Sequence, residues 1–259
     1  MAEQDVSERR ACRILNVSRC ACRYQAKKTD EAQIEQALRQ LAERHRSWGY
    51  GKMIDHLQHQ GYGWNHKRIY RVYCDLALNL RRKPKKRLPA RNAQVLAQPT
   101  QANQSWSLDF MSDSLASGRA FRTLNILDDY NREALWIEVD TSLPAEHVIR
   151  VLERLLLWRG TPKQIRMDNG PELISHRLEA WAKDHDIELA HIQPGKPAQN
   201  AYIERFNRTF REDILDAYLF RSLQEVRAIV EPWIEEYNTI RPHEALRGLS
   251  PHQFAAQNA

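Results

Sequence analysis

Through the first eighty residues apolar positions recur at helical spacing. "SERRACRILNVSRCACRY" sets Ala11, Ile14, Leu15 and Val17 on one side, breaks near Asn16 and offers Ser18 as the N-cap of a second short helix carrying Arg19 and Arg23. The pattern predicts a helix-turn-helix. A third helix is predicted over 31–46, with Ile34, Leu38 and Leu41 as its stripe and Trp48-Gly49-Tyr50-Gly51 as its stop. Residues 52–60, a Gly-Tyr-Gly turn and an Asn65-capped helix to about Leu78 repeat the motif. A small bundle with no nucleic-acid role fits the same periodicity.

From Ser105 the pattern changes. "SWSLDFMS", "FRTLNILDDY" and "EALWIEVD" read as three strands of an antiparallel meander. A helix over 144–159 follows, with Val148, Val151, Leu152 and Leu155 on one face and Gly160 as its stop. "KQIRMD" is a fourth strand, 176–185 a helix, "IELAHIQP" a fifth strand, and a long helix starts near Asn200. The order βββαβαβα predicts an α/β fold: a mixed sheet with helices on both faces. Trp136, Trp158 and Trp181 fit core positions. Residues 222–238 are amphipathic through Val226, Val230, Trp233 and Tyr237, with Pro232 expected to kink or restart the helix. "RPHEALRGLSP" reads as an extended tail folding back, with Arg241 and His243 in packing roles.

At 259 residues and 42% hydrophobic content the chain can form one large or two small domains with a real core, which excludes a disordered tail. The net charge of +6 is unevenly spread. Residues 1–100 hold 21 Lys/Arg against 9 Asp/Glu, and the remainder 18 against 24. Such asymmetry points to a basic part that meets a polyanion. Within it, Arg81, Arg82, Lys83, Lys85, Lys86 and Arg87 place six cations in seven positions around a proline, a run that stays extended and contacts phosphates when nucleic acid is near. A linker kept soluble by charge has the same composition. Residues 88–104, rich in Ala, Asn, Gln and Pro, mark a boundary. The division expected is 1–80 helical, 81–104 linker, 105–220 an α/β core, and 221–259 a terminal helix and tail.

Cys12, Cys20, Cys22 and Cys74 form no Cys-x-x-Cys pair, and no signal peptide or long apolar span is visible. Reduced thiols, a cytoplasmic location and no membrane partner are expected.

Three acids carry the candidate chemistry. Asp109 lies in "WSLDFM", a run otherwise suited to burial, where an unpaired carboxylate is costly and a cation is expected beside it. Asp168 closes the fourth strand beside the Asn169-Gly170 turn, where mixed sheets expose side chains to ligands. Glu204 falls on the last helix, where Asn200, Glu204, Asn207, Arg208 and Arg211 share a face opposite Ile203, Phe206 and Phe210. Three carboxylates around two metal ions about 4 Å apart can activate an attacking hydroxyl and stabilise a leaving oxygen in phosphodiester chemistry. Asp128 and Asp129, in "LDDYNRE", end a strand at a polar turn and read as structural.

Asp109, Asp168 and, after 35 intervening residues, Glu204 resemble the DDE core shared by retroviral integrases and many bacterial transposases, which has a ribonuclease H-like fold. "DNGPE", "GKPAQNAYIERFNRTFRED" and "YNTIRPHEALRGLSP" are similar to the second-frame (OrfB) part of insertion-sequence transposases made from two overlapping frames. The resemblance covers nearly the whole chain. It implies that Asp109, Asp168 and Glu204 bind two Mg²⁺ ions, with Mn²⁺ as substitute. It also implies DNA-end contacts by Asn200, Arg208 and Arg211, and more weakly by Lys196. The partners implied are double-stranded DNA at the element's terminal inverted repeats and at the target, a homo-oligomer on DNA, and an upstream-frame (OrfA) product or fusion. His56-x-x-His59 with Cys74 invites comparison with the zinc-binding head of retroviral integrases, but a fourth ligand and the spacing are missing, which favours ordinary helix-surface histidines. The chain begins at Met1 without the heptad run of an upstream zipper, so alone it is either the catalytic part or a regulator. A regulator that only binds DNA and a nuclease that cuts without joining are the rival expectations.

Overall fold

A computed structural model describes residues 7–25, 31–80, 96, 98–193 and 197–258. The basic run Arg81–Arg87 and Lys196 lie outside the described residues. In the N-terminal part, α1 (Glu8–Ile14) and α2 (Arg19–Cys22) are separated by Asn16 in the left-handed region, φ 51°. The Ser18 hydroxyl accepts from the Ala21 N–H at 3.1 Å, as its N-cap reading requires. The stripe expected to be buried is not: Ile14 and Leu15 are each 70% exposed, and of this pair of helices Cys12 alone is buried. Helices of 7 and 4 residues are too short to enclose a core between them.

Helices α3 (Glu31–Arg44), α4 (Tyr50–His59) and α5 (His66–Asp75) share a core of Ile34, Leu38, Trp48, Met53, Leu57 and Ile69. Gly49 caps α4 in extended conformation, so Tyr50-Gly51 opens this helix rather than closing the one before it. Asn65 caps α5 by accepting from the Lys67 N–H at 2.9 Å.

The larger unit is built on β1 (Ser105–Ser114), β2 (Ala120–Asp128), β3 (Ala134–Asp140), β4 (Gln164–Met167) and β5 (Glu188–His191), in spatial order β3-β2-β1-β4-β5. The first three strands are antiparallel; β4 and β5 join parallel to β1. Helices α6 (Ala145–Arg159) and α7 (His176–Asp184) cover one face, where Trp106, Leu108, Leu124 and Ile126 meet Val148, Val151, Leu152 and Trp181. On the other face α8 (Ala201–Phe210) and α9 (Leu223–Thr239) pack Ile203, Phe206, Phe210 and Val226 onto Met111, Phe121 and Leu127. The predicted order βββαβαβα is therefore the one observed. The helix expected from Asn200 is divided into a 3-10 turn at Pro197–Asn200, α8, and a π-helical turn at Arg211–Leu215.

Three expectations are corrected. Trp136 lies on the edge strand β3, 38% exposed, and Trp158 falls past the last buried turn of α6, 58% exposed; Trp181 alone of the three is in the core. Helix α9 continues through Pro232, whose side chain is exposed. The tail is not extended: Arg247 and Gly248 turn through positive φ, and Ser250 with Gln253 forms a capping box that starts α10 (Pro251–Gln257). No helix among the described residues is long and apolar enough to cross a membrane.

The buried Asn238 side chain fastens α9 to the sheet, accepting from the Ala134 N–H and donating to the Ala134 carbonyl, both at 2.9 Å. Asn238→Ala would strand two buried backbone groups, so urea unfolding should show a loss of about 2–4 kcal/mol. A loss below about 0.5 kcal/mol would show that the clasp is energetically idle.

Candidate active site

Strand alternation places Trp106 and Leu108 under α6 and α7, and turns Ser107, Asp109 and Met111 toward α8. Asp109 pairs in register with Asn125 on β2. In the parallel ladder Ser105 stands opposite Gln164 and Ser107 opposite Arg166, and Asp168 follows β4 directly, close enough that its carboxylate acts on Asp109 one strand away. Helix α8 crosses above, held by its buried Ile203, Phe206 and Phe210, and leaves Glu204 exposed.

The expected cation beside Asp109 is not there among the described residues; neutral donors hold it instead. The Asn207 amide donates to Asp109 Oδ2 at 2.7 Å, and the Phe110 N–H donates to Oδ1 at 2.9 Å. Asn207 in turn accepts from the Asn125 amide at 2.6 Å. Burial is the main reason that the Asp109 carboxyl is pushed up to about 6; the Asp168 and Glu204 carboxylates add to it, against the opposing Phe110 and Asn207 hydrogen bonds. All three acids thus lie in one electrostatic neighbourhood.

Asp168 is set by its own turn, accepting from the Gly170 N–H at 3.0 Å. A Cβ on Gly170 would come within 3.1 Å of that Asp168 oxygen, so glycine keeps the approach open. Among the described residues, no three His, Cys, Asp or Glu side chains converge closely enough to hold a metal ion. Three carboxylates repel one another, so they close on a common point only around a cation. The donor set itself, all hard oxygens with no cationic side chain against Asp109, fits a divalent ion such as Mg²⁺.

The other residues singled out by sequence divide. Asn200 is buried at the start of α8 with its Oδ1 unpartnered among the described residues, and Arg208 is exposed on the Glu204 side. Arg211 donates to the Ser112 carbonyl at 3.2 Å and lies 3.7 Å from Asp216, anchoring the helix end to β1. Arg23 is engaged by both oxygens of Glu8, at 2.8 and 2.7 Å, whereas Arg19 is exposed. Asp128 accepts from the Asn103 and Tyr130 N–H groups, and Asp129 from the Ser105 and Ser107 hydroxyls and Arg166. His56 packs edge-on against Trp48, their ring centroids 5.5 Å apart. Sequence reasoning put Asn207 on the polar face without a role and passed over Asn125. A single amide inside the apolar run "TLNIL" was the available signal.

A mixed five-stranded sheet in this order, with acids on β1, after β4 and on the helix crossing them, defines a ribonuclease H-like polynucleotidyl transferase. The integrase core domain family matches residues 99–197 and 185–251, and an HTH-like domain matches 28–87. The insertion element IS407 uncharacterized 31.7 kDa protein of Burkholderia multivorans is 41% identical over 98% of this chain and 92% of its own length. The chain belongs to the bacterial insertion-sequence transposases, of the second-reading-frame type with an integrase-like core. The corresponding IS476 39.2 kDa protein of Xanthomonas euvesicatoria is 40% identical over 97% of this chain and 73% of its length. The putative transposase InsK for IS150 of Escherichia coli is 24% identical over 81% and 78%. Among solved structures, a chain of the simian T-cell lymphotropic virus intasome superposes with a TM-score of 0.51 at 13% identity, over 85% of this chain and 74% of that one. Its function is DNA transposition: metal-dependent cleavage and joining of DNA at element ends.

Because the Asp109 carboxyl is raised in the fold, its contribution to stability is complete below its unfolded value of 3.8 and is lost as pH rises through about 6. In metal-free buffer at neutral pH, Asp109→Asn should melt about 2–6 °C above the parent, and the advantage should vanish below about pH 4. Mg²⁺ should raise the parent's melting temperature and leave the variant's unmoved. A variant that melts lower at neutral pH and still responds to Mg²⁺ contradicts this account.

Proposed function

We propose that Asp109, Asp168 and Glu204 are the catalytic ligands of two Mg²⁺ ions, replaceable by Mn²⁺, in a DDE-type transposase. The observation that carries this is a carboxylate pushed up first by its burial and further by the Asp168 and Glu204 carboxylates, with only neutral donors against it. When bound, such ions activate the attacking hydroxyl and stabilise the leaving oxygen. The rest is positioning by the chain.

Asn125 orients the Asn207 amide, which holds Asp109 Oδ2 while the Phe110 N–H holds Oδ1, so the carboxylate is aimed before substrate arrives. The Asp168 turn does the same from the neighbouring strand. Glu204 approaches from a helix whose rotation is locked by Ile203, Phe206 and Phe210. A water, and later a DNA 3′-hydroxyl, attacks the phosphodiester directly, without a covalent protein intermediate; this cuts at an element end and then joins that end to a target. Arg208 lies one helical turn from Glu204, exposed where a DNA end would enter, with Asn200 below it. The helical region with Arg19, and the basic run from Arg81 to Arg87, grip the duplex through its phosphates. The working form is a homo-oligomer on DNA that cooperates with an upstream-frame product.

On labelled oligonucleotide ends, Asp109→Asn, Asp168→Asn and Glu204→Gln should each reduce cutting and joining by at least about 10³-fold while DNA binding survives. Asp128→Asn should retain activity. Near-parental joining by Glu204→Gln, or a folded but dead Asp128→Asn, would overturn the three-acid assignment. Binding alone by the parent would make the protein a regulator, and cutting without joined product a nuclease.

A further inference from the structure

Helix α8 has a second working face. Opposite Glu204, its residues Tyr202, Arg205 and Thr209 form one wall of a cleft of about 1000 Å³, whose other walls are the start of α4 and the segment after α9. Four cations line it: Lys52 from the helical domain, and Arg132, Arg205 and Arg241 from the core.

Arg132 is the unusual member. It is 9% exposed, and its Nη1 has no hydrogen-bond partner among the described residues. Burying a charge without a partner costs several kcal/mol unless something compensates it. Asp129, a buried carboxylate on which Arg132 acts, is already taken by Ser105, Ser107 and Arg166. Arg132 sits in the left-handed region at φ 61°, a strained setting for a side chain of this size, and its guanidinium lies 3.5 Å from the centre of the Tyr202 ring. Strain and stacking together hold the fork in place before any ligand arrives.

The surroundings are strongly cationic. Arg241 is tied to Asp213 at 2.5 Å, which leaves Lys52, Arg132 and Arg205. Burial pushes His243 down to about 3, and Arg241, Lys52, Arg132 and Arg205 all push the same way, so four cations converge on one neutral imidazole. Its Nε2 is also buried and unpartnered among the described residues. The carboxylates of the lining are Asp55, half-buried and backed by the Gly248 turn, and Glu212 and Glu244, both exposed.

We propose that this cleft binds the phosphate backbone of a DNA strand, with Arg132 as the buried anchor and Lys52 and Arg205 as flanking contacts. The inference rests on the transposase activity and extends it to a contact behind the catalytic helix. A strand of duplex carries a phosphate for about every 3.4 Å of helix axis, so several cations can each meet one, whereas a free phosphate would satisfy only one. Since α8 is about 10–12 Å across, DNA passing over it can reach the cleft and the acids together. Lys52 belongs to the helical domain and the arginines to the core, so the bound backbone also fixes the two parts relative to each other.

The test is the salt dependence of binding by the full chain, on an element-end duplex and on an unrelated one. Lys52→Gln/Arg205→Gln should lower the slope of log K against log salt by about two on both duplexes, and Arg205→Gln alone, at an exposed position, by about one. Arg132→Lys, which keeps charge but loses the fork, should weaken binding about tenfold with the slope preserved. Parental slopes in Arg205→Gln, with parental melting, overturn the assignment. So does a parent stabilised by inorganic pyrophosphate while both Gln variants keep parental DNA slopes, since the cleft is then a small-anion site. If the parent binds and cuts element ends while the variants match its slope, the cleft assignment alone falls; if the parent does not bind DNA, the transposase activity falls with it.

Discussion

The Asn207 amide is where helix meets sheet, and the geometry of the site depends on it. An amide can accept and donate at once, so Asn125 on β2 can donate to Asn207 while Asn207 donates to Asp109 on β1. That directional chain holds α8 in one rotation about its axis. With Asn207 facing the sheet, Glu204 comes out on the open side a turn earlier, and Tyr202 and Arg205 are turned to the far cleft. One hydrogen-bonded contact thereby positions two surfaces of opposite charge on a single ten-residue helix.

Charge is treated differently at each acid, and the difference separates scaffold from chemistry. Asp129 is fully buried but receives two hydroxyls and the Arg166 guanidinium; Asp128 receives two backbone N–H groups. Both carboxylates are spent inside the fold, tying the end of β2 to the start of β1. Burial pushes Asp128 and Asp109 alike up to about 6, but Arg159 acts against the shift at Asp128, whereas Asp109 has two acidic neighbours, an arrangement that becomes favourable around a cation. Behind α8 the sign is reversed: Arg132 is buried with its Nη1 unpartnered among the described residues.

The C-terminal segment ties these parts together. Glu236 receives Arg44 at 2.9 Å and His45 at 3.0 Å from the helical domain, Asn238 clasps the first residue of β3, and Arg241 reaches Asp213 beyond α8. Ile240 joins the helical domain's own apolar cluster. A stretch of six residues thus touches the helical part, the sheet and the segment after α8, which explains why Asn238 and Arg241 are polar at buried positions.

Much of this was legible in the residues alone. Periodicity and caps determined the order βββαβαβα, the Ser18 and Asn65 caps and the Gly160 stop, because those signals are local: they depend on spacing, on one side-chain oxygen or on one backbone angle. Two of the candidate acids stood out in the sequence as anomalies of pattern, a carboxylate in an apolar strand and another at a strand end. What tertiary structure alone decided was the company each side chain keeps. The approach of Asp168 to Asp109, the amides in place of an expected cation, the pairing of Arg211 with Ser112 and of Arg23 with Glu8, and the exposure of Trp136, Trp158, Ile14 and Leu15 all depend on groups distant in the chain. Sequence pattern specifies which face a residue takes on its own element; only the packing of elements specifies what that face meets.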